Sequence, residues 1–491
     1  MPIEACAPEI NPPGAPRETT AKPGVVAILP RGEAIRNFVY TGCLEQLAHN
    51  VRLTVLSVMP DESCFDSLAG CGASLVPLRE APERWIVLAL REVLDIAHGR
   101  WLWSQAAQHR WERRNFEASR PLRRLKLSAK RLLAYPFAHP AGLDWLSKVD
   151  RAWSRRFRTT EEYTRLFREL RPALVFNGSH VHSRQAIQAV QAAQWLDIPT
   201  AAFIFSWDNL TSQGRIIPPY DYYLVWNERI RKDLLRLYRD IRPDRVLVTG
   251  TPQFDFHFRP EFYWSREEFC SKIGADPARP IILYSTGMAN HMPGEERIVE
   301  GVADMARDMK QFGPPQLLVR LYPKDQTGRF EQLKQRRKDI LFPVIPWEKA
   351  FLTPKREDLY LLTNMLRHCA AGVNIASTIS LELCMLDKPV INVGYDPPGL
   401  NIAPISFARY YRFDHYAPVV SSGAVEVARS ENELRALLFG ALQNPARLAA
   451  RRAALIREMF GCTLDGFSSR RVAEQLGKLA AASHDCCSSS A

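Results

Sequence analysis

Short apolar runs alternate with helical patterns along two stretches of the chain, and this alternation restricts the fold more than any other feature. A strand, a turn, a helix and a further strand in that order are typical of the βαβ unit of a parallel sheet. The first series of apolar runs is VVAILP (25–30), RLTVLSVMP (52–60), ALVFNG (173–178), TAAFIF (200–205), DYYLVW (221–226) and RVLVTG (245–250). The sequence therefore predicts a parallel sheet covered by helices.

A second series of apolar runs follows the aromatic stretch FDFHFRPEFYW (254–264). We expect strands at PIILYSTG (280–287), QLLVRLYP (316–323), DLYLL (358–362), GVNIAS (372–377) and KPVINVGYD (388–396). Two such series predict an α/β protein of two doubly wound, Rossmann-like domains, with a ligand cleft at the carboxyl ends of the strands. The predicted divisions are a disordered leader 1–22, a first domain 23–252, a connection 253–275, a second domain 276–445, C-terminal helices 446–478 and a disordered tail 479–491.

The composition is that of a folded protein without a membrane span. The chain has 491 residues, and none of its apolar runs approaches the roughly 20 residues that cross a bilayer. The proline-rich start, MPIEACAPEINPPGAPRETTAKPG, lacks the apolar core of a signal peptide. The ten cysteines are scattered without a zinc-like spacing. We expect a cytoplasmic protein with free thiols.

The positive charge is concentrated in a helical insertion at about residues 80–170. The net charge is +12, and residues 84–158 contain 17 Lys and Arg against 6 Asp and Glu, together with six tryptophans. Such a segment is typical of a protein that lies peripherally on an anionic membrane, here the inner face of the plasma membrane. Nucleic acid attracts the same charge, but the chain has no recognition module, so we expect no nucleic-acid partner. A solvated helical insertion is the alternative.

Polar side chains follow several predicted strands of the second domain and are candidates for binding a nucleotide diphosphate. Hydroxyls at the start of a helix, with its free N–H groups, suit a phosphate, and an acidic side chain one turn further can hold a ribose. A capping box without a ligand has the same pattern. The candidates are Ser377, Thr378 and Glu382 after one strand, Ser285, Thr286 and Gly287 after another, and Arg320 and Lys324 after a third.

The first domain contributes two loops to the same cleft. FNGSHVHSR (176–184) carries His180 and His182, which suit acid–base chemistry, a helix cap or, less well, a metal. SWDNLTSQGR (206–215) carries Trp207, Asp208 and Asn209. An Asx-turn explains the Asp and Asn, and Gly214 would allow the chain to bend, whereas an exposed Trp suits a sugar ring or the opposing domain. Because GxGxxG, GxxxxGK[ST], HExxH and GxSxG motifs are absent, dinucleotide, P-loop, zinc-protease and α/β-hydrolase chemistry is disfavoured.

These motifs together resemble the GT-B-fold glycosyltransferases of bacterial surface-polysaccharide biosynthesis. The resemblance rests on Arg36-Asn37-Phe38, SWDNLTSQG, LVTGTPQFD, LVRLYPKD, ASTISLELCMLDKPVINVGYD and FDHYAPVVSSGAV. More distantly, the chain is similar to polyol-phosphate transferases and UDP-sugar 2-epimerases. One departure is Tyr322, where related chains tend to carry His.

The resemblance implies a donor site in the second domain, an acceptor site in the first and transfer without a metal or other cofactor. The expected partners are a nucleotide-sugar donor and a glycan or lipid-linked acceptor. Asp208 is the first candidate for the catalytic base and His180 the second, while Trp207, Asn209 and His182 are expected to line the acceptor side of the cleft. Two alternatives stay open: a sugar-nucleotide 2-epimerase, and a catalytically silent protein that binds nucleotides or glycans.

Overall fold

The structure is a computed structural model that describes residues 22–59, 63–118, 120–157, 160–180, 184–349, 352–400 and 405–488. The predicted leader lies outside the described residues except for its last residue. The chain forms two parallel sheets, each covered by helices, and this confirms the predicted fold class.

The first sheet has seven parallel strands in the order β3-β2-β1-β4-β5-β6-β7. The strands are β1 Gly24–Leu29, β2 Arg52–Ser57, β3 Ser74–Pro77, β4 Leu174–Asn177, β5 Thr200–Phe203, β6 Tyr222–Val225 and β7 Val246–Val248. The helices around them are α1 Gly32–Phe38, α2 Cys43–Ala48, α3 Asp66–Gly70, α9 Arg184–Trp195, α10 Asn209–Ser212 and α11 Glu228–Leu237. β1 pairs with both β2 and β4, so the strand order reverses there and opens a crevice at the carboxyl ends.

The second sheet has six parallel strands in the order β10-β9-β8-β13-β14-β15. The strands are β8 Ile281–Ser285, β9 Gln316–Arg320, β10 Ile340–Leu341, β13 Ala371–Asn374, β14 Val390–Val393 and β15 Glu426–Ala428, and a separate hairpin joins β11 Trp347–Glu348 to β12 Thr353–Pro354. The helices are α12 Arg266–Ile273, α13 Glu295–Asp308, α14 Glu331–Arg336, α15 Arg356–His368, α16 Ile379–Met385, α17 Ala417–Ser421 and α18 Glu431–Gln443.

The insertion between β3 and β4 is helical, as predicted. Its helices are α4 Trp85–Leu102, α5 Gln105–Glu117, α6 Pro121–Ala134, α7 Pro140–Arg156 and α8 Glu161–Leu170. Leu94 and Ile96 of α4 and Leu143 and Leu146 of α7 are buried in a small core of their own. The insertion therefore has its own hydrophobic contacts and does not depend only on the first sheet.

Two helices end the chain, and the last one returns to the first domain. They are α19 Ala449–Phe460 and α20 Ser468–Ser488. The carboxylate of Asp255 accepts hydrogen bonds from the backbone N–H groups of Ser468 (3.1 Å) and Ser469 (2.8 Å), which anchors the start of α20. The predicted start of the disordered tail, at residue 479, is wrong, because α20 continues through it with Leu476 and Ala480 buried at helical spacing. Residues 489–491 lie outside the described residues.

Most predicted strands are confirmed, but the one at DLYLL (358–362) is wrong. This stretch lies inside α15. Leu361 and Met365 are buried four residues apart and Leu359 and Leu366 seven apart, which is the spacing of one and two helical turns and is not visible in a window of five residues. The sequence also missed β3, β10 and β15, which are edge or outer strands of two to four residues.

Candidate functional site

The two domains meet where the carboxyl ends of their strands face each other. The loop after β5 contains Trp207, and its indole Nε1 donates a hydrogen bond of 3.3 Å to the hydroxyl of Thr378, in the loop after β13. The indole ring also packs against His415 and Tyr416 of the second domain, at centroid distances of 5.2 and 5.8 Å. SWDNLTSQGR and ASTISLE, two of the motifs on which the resemblance rests, therefore contact each other across the domain interface.

A cavity of about 520 Å³ lies at this contact. Its size is in the range of small-molecule sites, which measure roughly 300–1,000 Å³. Among the residues predicted from the sequence, it is lined by Trp207, Asp208, Thr286, Gly287, Ser377 and Thr378. Tyr322, which stands where related chains tend to carry His, is also in its wall.

Asp208 is held in place by two serine hydroxyls. Ser206 Oγ donates to Asp208 Oδ1 at 2.5 Å, and Ser212 Oγ donates to Asp208 Oδ2 at 2.7 Å. Asn209 is buried, and its Oδ1 accepts the backbone N–H of Ser206 at 2.7 Å, so it stabilises the turn and does not line the cavity. The carboxylate of Asp208 is thus fixed as a hydrogen-bond acceptor in the cavity wall.

The sequence suggested that Gly214 allows the chain to bend, whereas the structure places it in close contact with the insertion. A Cβ atom at this position would lie 2.4 Å from Asp95 Oδ1 on α4. Its backbone does not have a left-handed φ, so the missing side chain permits close approach of the insertion and is not needed for a bend.

The turn between β13 and α16 is held by hydrogen bonds among buried polar side chains. The hydroxyl of Ser380 donates to Asn374 Oδ1 at 2.9 Å and accepts hydrogen bonds from Asn392 (3.0 Å) and from Tyr416 (2.8 Å). Ala376 in this turn has a φ of 40°, a left-handed conformation that is uncommon for a residue with a side chain. This network fixes the turn whose next residues, Ser377 and Thr378, line the cavity.

The predicted Ser285–Thr286–Gly287 loop contributes only in part. Ser285 ends β8 and does not line the cavity, whereas Thr286 does, and its hydroxyl accepts the backbone N–H of Tyr322 at 2.8 Å. The backbone N–H of Gly287 donates to Glu295 Oε2 at 3.0 Å. Burial raises the pKa of Glu295 to about 7, although Arg329 and these hydrogen bonds oppose the shift.

Arg320, Lys324 and Glu382 do not line the cavity; Arg320 and Lys324 form ion pairs beside it, and Glu382 contacts a histidine. Both guanidinium Nη atoms of Arg320 donate to the carboxylate of Asp358 at 2.8 Å, and both side chains are buried. Lys324 pairs with Glu33, which belongs to the first domain. Glu382 Oε2 lies 2.8 Å from Nε2 of His257, in the connection between the domains. We call these six residues the ion-pair cluster.

The electrostatics of the ion-pair cluster favour the ionised form of Glu33. Burial by itself would raise the pKa of Glu33, but the nearby cations Lys324 and Arg31 bring it below its ordinary value. Burial lowers the pKa of Lys324, and Glu33 opposes that shift. Three residues that the sequence assigned to donor binding therefore already have charged or hydrogen-bonding partners within the protein.

Of the two predicted histidines, only His180 belongs to the described residues, and it does not line the cavity. His180 is half-buried after β4, with Nδ1 3.2 Å from the carbonyl oxygen of Phe203, and is not among the described residues that line the cavity. His182 lies outside the described residues. Of the two candidates for the base, the structure brings only Asp208 to the cavity.

The sequence missed the contribution of the insertion, whose helix α5 closes one side of the cavity. His109, Arg110 and Arg113 of α5 line it, opposite His291 of the second domain. Arg113 Nη1 lies 2.8 Å from His291 Nε2, and the N–H of Gln105 donates to Asp414 Oδ2 at 2.8 Å, so α5 bridges the two domains. The only signal in the sequence is QHRWERR (108–114), whose charges are not distinguishable there from the other basic residues of the insertion.

The imidazoles of this region are neutral. Burial, followed by Arg409 and His291, lowers the pKa of His109 to about 4. Burial and Arg113 likewise lower the pKa of His291 to about 4. Both ring nitrogens of His109 are buried, and among the described residues neither has a hydrogen-bond partner.

A second, larger cavity of about 960 Å³ lies near the carboxyl end of β2. It is lined by Tyr40 and His49 of the first domain and by Lys355 and Arg356 of the second. Of the residues predicted for the functional site, none that the structure describes lines it. Its size alone does not make it the better candidate, because SWDNLTSQGR and ASTISLE meet at the smaller cavity.

In the described part of the chain, no group of three or more His, Cys, Asp or Glu side chains is placed to hold a metal ion. Among the residues that the structure describes, no helix is both long enough and apolar enough to cross a membrane.

Solved structures resemble this chain in fold, although their sequences are only distantly similar to it. No family model matches the chain, and no curated protein matches it. The structure of UDP-GlcNAc 2-epimerase from Neisseria meningitidis bound to UDP-GlcNAc has 13% identity and a TM-score of 0.50, and the match covers 93% of this chain and 99% of that one. Another UDP-N-acetylglucosamine 2-epimerase has 12% identity and a TM-score of 0.51, with coverage of 93% and 95%.

A glycosyltransferase from Rickettsia africae has 11% identity and a TM-score of 0.46, with coverage of 93% and 98%. Two facing doubly wound sheets with the cavity between them define the GT-B fold, which the 2-epimerases share along nearly the whole chain. At these identities the likeness is one of fold.

Proposed function

We propose that the protein is a glycosyltransferase that moves a sugar from a nucleotide-diphosphate donor to a glycan or lipid-linked acceptor in surface-polysaccharide synthesis. The observation that carries the proposal is the cavity between the domains, with Asp208 in one wall and Ser377 and Thr378 in the other. A transferase needs a general base on the acceptor side and hydrogen-bond donors on the side of the leaving diphosphate.

The donor would bind with its diphosphate near the hydroxyls of Ser377, Thr378 and Thr286. The guanidinium groups of Arg110 and Arg113 are the positive charges among the lining residues, and a guanidinium donates well to phosphate oxygens. The similar 2-epimerase from Neisseria meningitidis is bound to UDP-GlcNAc, which supports a UDP-sugar as the first donor to test.

Asp208 would accept the proton of the acceptor hydroxyl while that oxygen bonds to the anomeric carbon. The bond from the anomeric carbon to the diphosphate oxygen breaks, and the diphosphate leaves with the bonding electron pair. Its developing charge is stabilised by Arg113 and by the hydroxyls of Ser377 and Thr378, the kind of electrostatic contribution that is usually the largest in such reactions. Ser206 and Ser212 orient the carboxylate for the proton transfer.

A sugar-nucleotide 2-epimerase is the second candidate, because the structures that match at TM-scores of 0.50 and 0.51 carry that name. Epimerisation is expected to use acidic groups on both faces of the sugar. Asp208 is the only carboxylate among the described residues that line the cavity. This favours transfer over epimerisation.

The test uses the purified full chain, isotope-labelled nucleotide sugars and a membrane extract as the source of acceptor. We expect label to move to the lipid or glycan fraction, and Asp208→Asn to lower turnover by roughly 10²–10⁴-fold. Asp244→Asn is the matched control, because Asp244 is an exposed carboxylate in the same domain, paired with Arg242.

Three results would contradict the proposal in different ways. Normal transfer by Asp208→Asn would remove Asp208 as the base. Formation of the 2-epimer of the donor without any acceptor, seen by NMR, would replace the transferase by the epimerase. Binding of donor with neither product, with extract present, would indicate the silent binding protein.

A further inference from the structure

Helix α6 of the insertion turns its apolar side outward. Leu122, Leu125, Leu132 and Leu133 expose 64%, 67%, 77% and 63% of their surface. At about 100° per residue, these four side chains fall on one side of the helix. We call this side, with Ala129 between the leucines, the leucine face.

The opposite side of α6 carries the contacts that fold the helix. Ala134 is buried and Leu127 is half-buried, and Lys130 pairs with Glu92 of α4 at 2.7 Å. The leucine face is therefore not needed for packing within the described chain. A surface helix normally has the reverse arrangement, with its leucines towards the core, and a contiguous exposed apolar patch is a common sign of an interaction surface.

Positive charge borders the leucine face. α6 contains five Lys and Arg and no Asp or Glu, and Arg123 and Lys126 are exposed beside the leucines. Exposed aromatic side chains follow in the adjoining segment: Tyr135 directly after α6, and Trp145 of α7, which stacks on Phe137 at 5.3 Å. An apolar side with basic flanks and nearby Trp and Tyr is the composition of helices that lie in the interface of a bilayer.

We propose that α6 docks on an anionic lipid bilayer, with the leucine face in the boundary between headgroups and acyl chains. The basic side chains would contact lipid phosphates. A second copy of the chain is a poorer occupant, because a two-fold interface on this face would bring its own cations against each other. This surface is distinct from the cavity, and the inference does not depend on the proposed reaction.

The experiment measures binding of the full chain to vesicles by flotation, without donor. Vesicles of phosphatidylcholine alone are compared with vesicles that also contain phosphatidylglycerol, at low and high salt. The variants are Leu125→Gln with Leu132→Gln, and Arg123→Gln with Lys126→Gln. The control is Val344→Gln with Phe467→Gln, which are exposed apolar residues of other regions, 88% and 57% exposed. All these side chains are exposed, so the variants should fold, and thermal unfolding checks this.

We expect the wild type and the control to bind the anionic vesicles, and to bind more weakly at high salt. The basic variant should lose about 25-fold in partitioning at low salt, because each cation near an anionic surface contributes about five-fold. The leucine variant should lose at least about ten-fold. Undiminished binding of the leucine variant would overturn the inference. So would a wild type that does not bind vesicles but forms a dimer in sedimentation that the leucine variant abolishes.

Discussion

The cavity and the ion-pair cluster contain the same kinds of side chain and differ in what those side chains contact. In the ion-pair cluster, Arg320 has a buried carboxylate partner and Glu382 has His257. In the cavity, Arg113 pairs with Glu117, whose side chain is exposed, and both ring nitrogens of His109 have no partner among the described residues. A charge at the end of a strand is thus not by itself a ligand-binding group, and its partners decide whether it stabilises the fold or is available to a substrate.

The difference predicts separate consequences for stability and for binding. Substitutions in the ion-pair cluster should change the free energy of unfolding and leave donor affinity nearly unchanged. Substitutions at the cavity should mainly change donor affinity, and substitution of its buried His109 should also change the pH dependence of stability. The following predictions test this division, from the largest expected effect to the smallest.

Arg320→Met should lower the free energy of unfolding by about 3–5 kcal/mol, because it leaves the buried carboxylate of Asp358 without its cation. The measurement is urea unfolding. Arg320→Met combined with Asp358→Leu should recover much of the loss, since both charges are then removed. Arg336→Met, which removes an exposed pair with Glu300, should cost less than about 1 kcal/mol. A stable Arg320→Met variant that no longer binds the donor would show that Arg320 belongs to the binding site.

Arg113→Gln should weaken donor binding by about 10–100-fold, the range for a hydrogen bond to a charged group, with little change in thermal stability. Isothermal titration calorimetry with the nucleotide sugar measures this. Arg123→Gln, on α6 of the same insertion, is the control for a general loss of positive charge. Equal losses in the two variants would mean that α5 acts only through net charge.

His109→Phe should change the pH dependence of stability. The pKa of His109 is lowered to about 4 in the folded protein and is about 6.5 in the unfolded chain, so between these values the unfolded chain binds more protons. Stability due to this neutral imidazole is therefore lost as pH falls from about 6.5 towards 4. Relative to the variant, the wild type should lose about 1–2 kcal/mol between pH 7 and 5 in chemical denaturation. A constant difference across this range would contradict the burial of His109 against the second domain.

Glu382→Gln should have the smallest effect, a change in donor affinity of less than about three-fold, because the amide keeps the shape of the group that contacts His257. A ten-fold or larger loss in calorimetry, with normal stability, would instead assign Glu382 to the ribose, as the sequence suggested.

The sequence predicted the sheets well because buried parallel strands leave continuous apolar runs, as in GVVAIL of β1 and IILYS of β8. It also identified Asp208, Ser377 and Thr378, which follow strands and line the cavity. It could not show that Glu33 and Asp358 pair with Lys324 and Arg320, since these partners are 291 and 38 residues apart in the chain. Nor could charge counting separate α5, which contacts the second domain, from α6, which presents leucines outward.

The most direct test of the cavity as the donor site is thermal unfolding of the full chain with a panel of nucleoside diphosphates and their sugars. Three proteins are compared: the wild type, Ser377→Ala with Thr378→Ala at the cavity, and Arg356→Gln at the larger cavity. We expect one nucleotide to stabilise the wild type and Arg356→Gln by several degrees, and the cavity variant much less. Stabilisation that survives in the cavity variant and disappears in Arg356→Gln would place the nucleotide in the larger cavity and contradict the account.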